Sequence, residues 1–424
     1  MATVTISDLH KSFGKTKAVN GISVDIANGE FFVILGPSGA GKTTTLKSVA
    51  GLIDVDGGSV TIGGTDVTRV EPYHRNVAMA FESYALYPQK TVSENLASPL
   101  KSGRTGKYSD SQRTERIDQV TTTLGINHLL KRFPRELSNG QRQRVALGRV
   151  LVRPADIYLL DEPLSHLDAK LRAAMRAELK QLGAMSNTTT LYVTHDYQEA
   201  LALGDRIAVM REGQLVQIGT PEEIWRRPAD TFVARALGQP EINILDGVVD
   251  DGRIRLGDGS FDVPIPADAQ VQRGDRVQVG LRPCDIEVRD RAATEDIHGR
   301  VMLVERLGRN VELTVDVGGA HLIVLASGRE GHDEGTEVNL HVAQSDVHVS
   351  PSARAINPGS PRLIAIPHWR QHSESDDRSV AHQHRHHIRD RPGPDPDRPG
   401  EDLRVTWQGN RHRGQGHQPG DRTG

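Results

Sequence analysis

Apolar residues run uninterrupted through four short stretches, FFVIL (31–35), IYLLD (157–161), TLYVT (190–194) and IAVM (207–210). Successive side chains of a strand point to opposite faces, so such runs describe strands buried on both sides, as in a largely parallel sheet covered by helices. Helical spacing follows three of them, from Lys42, from Asp168 to about Met185, and from Tyr197 to about Leu203. The pattern predicts an α/β domain over residues 1–235. Inside it the stretch 83–155 changes texture, and its segments 109–130 and 141–152 carry apolar residues at helical spacing. This stretch is read as a helical insertion.

Over residues 236–350 the text shifts to short strands split by glycine and aspartate, as in ILDGVVDDGRIRLGDGSFDVPI and VELTVDVGGAHLIVLA. Turn signals at that spacing predict a small barrel or sandwich, and no catalytic constellation stands out in it. From residue 351 to 424 the chain holds eight of its eighteen histidines and nine of its twenty-two prolines with almost no apolar period. That composition buries too little surface to offset its ordering entropy and predicts disorder. The histidines of AHQHRHHIRD (381–390) have no framework to fix metal geometry. The text after about 357 also reads like the out-of-frame translation of a GC-rich gene.

The length of 424 residues allows two or three domains. A formal net charge of −3 with both signs interspersed gives no bulk pull toward nucleic acid. The single cysteine, Cys284, excludes an intrachain disulfide and is expected to be a half-buried small residue. No basic-then-apolar leader and no run long enough to span a bilayer are evident, so the chain is expected to stay in the cytoplasm.

The candidate chemistry starts with Gly36, Pro37, Ser38, Gly39, Ala40, Gly41, Lys42 and Thr43, which fit G-x-x-x-x-G-K-[ST] between a strand and a helix. Glycines there let backbone amides close around phosphates, Lys42 reaches the β/γ oxygens, and the Thr43 hydroxyl coordinates Mg²⁺. The strand IYLLD ends at Asp161 and is followed by Glu162; continued extension would turn the two carboxylates to opposite faces. One can hold the Mg²⁺ shell while the other polarises an attacking water. His195 closes the next strand, in LYVTHD, where a histidine can be structural or can face a phosphate. A second anion site is suggested by LSNGQ (137–141) opening a helix, because the first amides of a helix lack intrahelical partners.

Taken in order, GPSGAGKTT, LSNGQ, IYLLDEP, SHLD (165–168) and VTHD closely resemble the ATP-binding cassette ATPases over residues 1 to about 350. The resemblance implies a P-loop NTPase domain with a helical insertion, followed by an OB-like regulatory β domain of the TOBE/MOP type. It implies ATP and Mg²⁺ as ligands, and a head-to-tail homodimer in which the signature segment of one copy faces the nucleotide of the other. Carried onto this chain, Ser138, Asn139, Gly140 and Gln141 would embrace the γ-phosphate in trans, and Thr44 would line the phosphate loop. Asp161 would hold Mg²⁺, Glu162 would be the general base and His195 would contact the γ-phosphate. Asp168 would communicate across the interface, and Phe13 would stack on adenine, the alternative for Phe13 being a core position.

Three positions depart from the family text. Glu82, in MAFESYALYP, stands where glutamine usually ligates Mg²⁺ and senses the γ-phosphate; a carboxylate still ligates but adds negative charge. Asn139 replaces the commonest glycine, and its tolerance of left-handed backbone is expected to preserve the loop. His166, at a variable position, is assigned no role.

The segment SYALYPQKTVSENL, with a helix expected from Ser93, can pack inside the domain or receive a partner's helix; it resembles the YALYPHMTV segment of sugar-importer ATPases, which implies docking of two integral-membrane permease subunits near Ser83–Pro88. GQPEINIL (238–245) and VGLRPCDIEV (279–288) resemble the regulatory domain of maltose and glycerol-phosphate importer ATPases. The reading is an importer ATPase on the cytoplasmic face of a bacterial membrane, served by an extracytoplasmic binding protein, for a carbohydrate or polyol. The rival readings are an importer of polyamine, inorganic anion or iron, and a soluble cassette ATPase of DNA repair or translation.

Overall fold

The computed structural model describes residues 2–351 except 102–107, 166, 187, 290–292, 294 and 329–330. The expectations for the tail, for the histidines of 381–390 and for His166 lie outside the described residues. In chain order the molecule begins β1 (Val4–Phe13), β2 (Thr16–Ile26), β3 (Phe31–Leu35), α1 (Lys42–Ala50), β4 (Gly57–Ile62), β5 (Thr65–Asp66) and β6 (Val77–Ala80). It continues α2 (Val92–Ala97), α3 (Asp110–Thr123), α4 (Asn139–Leu151), β7 (Ile157–Asp161), α5 (Ala169–Ser186), β8 (Thr189–Thr194) and α6 (Tyr197–Leu203). Then come β9 (Arg206–Arg211), β10 (Gln214–Gly219), α7 (Pro221–Arg226) and α8 (Thr231–Arg235).

The four uninterrupted apolar runs are β3, β7, β8 and β9, and they lie side by side in one sheet of order β10-β9-β3-β8-β7-β6. The pairs β3–β8, β3–β9, β7–β8 and β6–β7 are parallel, and only the β9–β10 hairpin is antiparallel. Strand alternation divides the core between two faces. Phe31, Val33, Leu35, Tyr158, Leu160 and Tyr192 meet Leu96, Val145 and Met175 from the helices on one side. Phe32, Ile34, Leu159, Leu191 and Val193 meet Leu46 and Val49 of α1 on the other. That second core also takes Val4, Ile6 and Val60 from an antiparallel sheet, β2-β1-β4-β5, which the apolar-run reading does not predict. Its strands carry only one buried face, and β1 is broken by a bulge at Asp8, whose φ is 47°.

α1 and α6 begin at Lys42 and Tyr197 as the pattern predicts, whereas α2 and α5 begin one residue away from the expected positions. α2 begins at Val92 rather than Ser93, because Thr91 accepts from Glu94 N while the Glu94 carboxylate accepts from Thr91 N. α5 begins at Ala169, with Asp168 outside it accepting from Leu171 N.

Beyond residue 242, ten strands form two five-stranded antiparallel sheets. They share one core, to which Ile254, Val279 and Leu281 of the first contribute with Leu313, Val324 and Leu340 of the second. Asn243 ties them together, its amide nitrogen donating to Leu281 O at 3.0 Å and Ile323 O at 2.8 Å while its oxygen accepts from Ile323 N. This part is fastened to the preceding helices by Arg282, which is 2% exposed and stacks 3.9 Å above the Trp225 ring. Its guanidinium donates to Leu237 O and Trp225 O at 2.6 and 2.8 Å. Next to it, Cys284 is exposed rather than half-buried, its thiol donating to Asp285 Oδ1 at 3.3 Å.

Candidate functional site

β3, β8 and β7 are neighbours, and their carboxyl ends deliver three loops to one place, where parallel α/β sheets hold their ligands. The loop after β3 turns through Gly36, Pro37, Ser38, Gly39, Ala40 and Gly41 into α1. Gly41 is forced: its φ is 104°, and a Cβ there would lie 2.0 Å from Ala18 O. Gly36 is forced by packing as well, since a Cβ would meet Met210 O at 2.4 Å. Gly39, at φ 81°, has nothing within 4 Å of a Cβ position, so the loop is open at its crest. Pro37, Ser38 and Gly39 are exposed there, while Ala40 is buried and its carbonyl accepts from Gly213 N.

Lys42 is buried, with its ammonium donating to Gly36 O at 2.8 Å and Pro37 O at 3.0 Å. Beside it, Thr43 Oγ1 donates to Asp161 Oδ1 at 2.8 Å, and half-buried Thr44 uses its carbonyl to accept from Ser48 Oγ. Burial raises the Asp161 carboxyl above its ordinary value; the Thr43 bond and Lys47 pull it down, whereas Glu162 and Glu82 push it up. Glu82 itself is exposed, in a loop where Tyr84 and Ala85 both take positive φ. The donor set of one hydroxyl and two carboxylates is hard oxygen and suits Mg²⁺.

Extended geometry does not continue past Asp161. Glu162 takes φ 45°, its amide donating to Val193 O, so a left-handed turn rather than strand alternation separates the two carboxylates. Glu162 then faces both basic groups: Oε1 lies 3.5 Å from Lys42 Nζ and Oε2 lies 2.9 Å from His195 Nδ1. His195 is half exposed, whereas Glu162 is mostly covered. The arrangement can hold and move a proton at the open side of the phosphate loop.

The segment LSNGQ forms the start of α4 and is not part of this cluster. Among the described residues no hydrogen bond or ion pair joins Ser138, Asn139, Gly140 or Gln141 to Lys42, Asp161, Glu162 or His195. Ser138 caps α4: its hydroxyl accepts from Gln141 N, and its own amide donates to Gln141 Oε1 at 3.0 Å. Asn139 is the first helical residue and is absent from the positive-φ positions, so left-handed tolerance is not what admits it. A Cβ on Gly140 would come 3.1 Å from Leu167 Cδ2, which sets the helix start tightly against the SHLD turn. Phe13 ends β1 at 52% exposure beneath Lys11 Nζ, so it is not a core position.

The motif reading passes over a buried polar group behind His195. Glu199 Oε2 accepts from Tyr192 Oη at 2.8 Å and from Thr194 Oγ1 at 2.7 Å, and Arg172 reaches toward it from α5. The available signal was a glutamate in the first turn of a short helix, four residues after a candidate site histidine.

Comparison with known proteins adds three family matches: ABC transporter over residues 19–165, the CysA C-terminal regulatory domain over 243–288 and the TOBE domain over 279–349. The chain is 42% identical over 366 residues to the trehalose/maltose import ATP-binding protein MalK of Thermococcus litoralis, covering 82% of this chain and 97% of that one. It is 39% identical over 350 residues to the sn-glycerol-3-phosphate import ATP-binding protein UgpC 1 of Rhizobium johnstonii, with 82% and 94% covered. It is 40% identical over 376 residues to the diacetylchitobiose uptake system ATP-binding protein MsiK of Streptomyces coelicolor, with 83% and 98% covered. Among solved structures, the dimeric structure of MJ0796, a bacterial ABC transporter cassette, is 28% identical with a TM-score of 0.49, covering 51% of this chain and 98% of that one.

Proposed function

The chain belongs to the ATP-binding subunits of ABC transporters, and from that membership we propose that it hydrolyses ATP as a homodimer to drive import of a carbohydrate or polyol. The observation that carries the hydrolytic reading is the bridging of Lys42 and His195 by Glu162, next to the Thr43–Asp161 pair. The names of its relatives, importers of trehalose/maltose, glycerol 3-phosphate and diacetylchitobiose, support the cargo class.

In this reading the amides of the Gly36–Gly41 loop and the Lys42 ammonium bind the phosphates, and Phe13 stacks on the adenine. Thr43, Asp161 and Glu82 would hold Mg²⁺, which when bound supplies positive charge to the developing phosphate oxygens. Glu162 accepts the proton of the attacking water at its carboxylate. His195, oriented by Oε2 of Glu162, presents its remaining ring nitrogen to the γ-phosphate edge. Lys42 leaves its two carbonyl partners for the phosphate oxygens, a shift within reach of one flexible side chain.

Among the described residues the α4 start is joined by no hydrogen bond or ion pair to the Lys42–Glu162–His195 cluster, and in this reading Ser138, Asn139, Gly140 and Gln141 serve the nucleotide of a second copy. There the helix dipole favours negative charge and the capping box holds the amides in line. Asp168, exposed next to that helix start, lies on the same contact face. Two integral-membrane permease subunits dock near Ser83–Pro88, where Tyr87 is 44% exposed and sits between Lys90 and Arg149. An extracytoplasmic binding protein delivers the solute to them. Among the described residues no helix is long and apolar enough to cross a membrane, and in this reading the permease subunits supply the span. The place of work is then the cytoplasmic face of the membrane.

The test is solute-dependent hydrolysis in the reconstituted transporter. Carbohydrate or polyol, presented with the binding protein, is expected to stimulate turnover severalfold. Stimulation by a polyamine, an inorganic anion or iron instead would replace the cargo class, and full hydrolysis by a demonstrated monomer would remove the shared-site reading.

A further inference from the structure

Arg172, in the first turn of α5, makes three hydrogen bonds and turns its Nε toward a buried carboxylate. Its backbone amide donates to Asp168 O at 2.8 Å, and one guanidinium nitrogen donates to Leu167 O at 3.1 Å. A second nitrogen donates to Asp196 Oδ2 at 3.1 Å, and Nε lies 3.8 Å from Glu199 Oε1. Leu167 and Asp168 belong to the SHLD turn, while Asp196 and Glu199 belong to the loop and helix that follow His195. One planar fork therefore spans two loops that approach the phosphate site from different strands.

The far side of the fork is rigid. Asp196 caps α6 by accepting from Gln198 N and Glu199 N, and its own amide donates to Thr194 Oγ1 at 3.0 Å. Thr194 in turn donates to Glu199, so the residues on both sides of His195 are fixed while its ring stays half exposed. Glu199 is 2% exposed, and burial raises its carboxyl above the ordinary value. Burying a carboxylate costs desolvation free energy, which here is offset by the Tyr192 and Thr194 hydrogen bonds and the nearby guanidinium, and those contacts tie Glu199 to β8 and to α5.

We propose that Arg172 is a positioning residue that locks the His195 loop to the Leu167–Asp168 turn, with Glu199 as its buried counter-charge. The inference rests on the reading of Glu162 and His195 as the hydrolytic pair. Losing the lock misplaces the His195 ring without touching the phosphate loop, and a shift of about 1 Å at a reacting group can cost on the order of a hundredfold. Lysine does not substitute, because a single ammonium cannot reach both the Leu167 carbonyl and the Asp196 carboxylate in the same geometry.

The experiment measures steady-state ATP hydrolysis by the full chain in Arg172→Ala, Arg172→Lys, His195→Ala and Arg172→Ala/His195→Ala, with folding followed by thermal melting. Arg172→Ala is expected to lower kcat about 10- to 100-fold with KM within about twofold. Lysine should not rescue it, and the double variant should be no slower than His195→Ala. Turnover of Arg172→Ala within about twofold of the parent, full rescue by lysine, or an undiminished effect on the His195→Ala background overturns the proposal. Should Arg172→Ala not fold, the nearly isosteric Glu199→Gln takes its place with the same expectation of non-additivity, and parental kcat in it is equally fatal. Parental turnover in His195→Ala would instead remove the hydrolytic reading, and this inference with it.

Discussion

Glu162 places one carboxylate oxygen 2.9 Å from His195 Nδ1 and the other 3.5 Å from Lys42 Nζ. A single acid thus orients the ring and neighbours the ammonium of the phosphate loop. Removing its charge while keeping its shape should separate binding from chemistry. Glu162→Gln is expected to lower ATP hydrolysis on the order of a hundredfold or more, the usual scale for a general base, and to leave nucleotide affinity intact or stronger. Paired measurements of turnover and equilibrium nucleotide binding check this; parental turnover would exclude Glu162 as the base.

Asp161 must be ionised to hold Mg²⁺, and its carboxyl is raised by burial, with Glu162 and Glu82 adding to the effect. Protons therefore compete with the metal at higher pH than they would at an ordinary aspartate, and apparent Mg²⁺ affinity should fall as pH drops through that raised value. Glu82→Gln removes one of the charges that push the carboxyl up. Its acid limb is expected to move to lower pH, as read by Mg²⁺ titration of nucleotide binding at several pH values. Identical limbs in parent and variant would mean that Glu82 does not act on the metal site.

Two substitutions at Ser138 distinguish helix capping from a role in a neighbour's nucleotide site. Ser138→Ala removes the acceptor for Gln141 N and should cost about 1 kcal/mol of stability. Ser138→Asp keeps a good cap but puts negative charge where the γ-phosphate of the second copy is proposed to lie. The aspartate variant is expected to melt near the parent temperature while losing at least tenfold in hydrolysis. Parental activity in it would contradict the trans site.

Arg282 joins the two halves of the described chain through Trp225 and two carbonyls. Arg282→Met preserves much of the volume and discards the charge, the stacking and both hydrogen bonds. It should lower stability by about 2–4 kcal/mol because one buried and one part-buried carbonyl lose their donor and the stacking on Trp225 is lost. Urea denaturation reads the loss, and a midpoint equal to the parent's would assign the fastening elsewhere.

Cys284 is exposed, yet desolvation of its sulfur and the neighbouring Asp285 push the thiol up to about 11. A raised thiol pKa means less thiolate at a given pH. At pH 8 its alkylation is expected to be roughly a hundredfold slower than that of an unperturbed cysteine, and to accelerate steadily toward pH 11. Rates with iodoacetamide across that range supply the measurement.

β3, β7, β8 and β9 are buried on both faces, which leaves an uninterrupted apolar mark in the sequence, whereas parallel β6, buried only at alternate residues, leaves none. β1, β2 and β4 carry no such mark, because each has a single buried face and β1 is bulged at Asp8. The motif marks Glu162 but leaves open whether the strand stays extended there; the left-handed turn goes with the hydrogen bond between its amide and Val193 O, a contact between strands. Asn139 in place of glycine suggests a need for left-handed backbone, whereas the Ser138–Gln141 capping box makes it the first helical residue. Arg172 and Glu199 carried no motif, since their significance is that they meet.

The linear order of residues by itself determined the phosphate loop, the capped helix starts and the central strands. Each of these depends on interactions within a few residues or on one-dimensional apolar period. Only tertiary structure decided that Lys42, Glu162 and His195 share one site, because that follows from the strand order β3-β8-β7. Parallel neighbours are joined by long crossovers rather than by local turns, so sheet order arises from how helices pack on both faces. The same packing brings half-buried Arg172 between two loops, where a charge that would be unremarkable on a free helix becomes a tie.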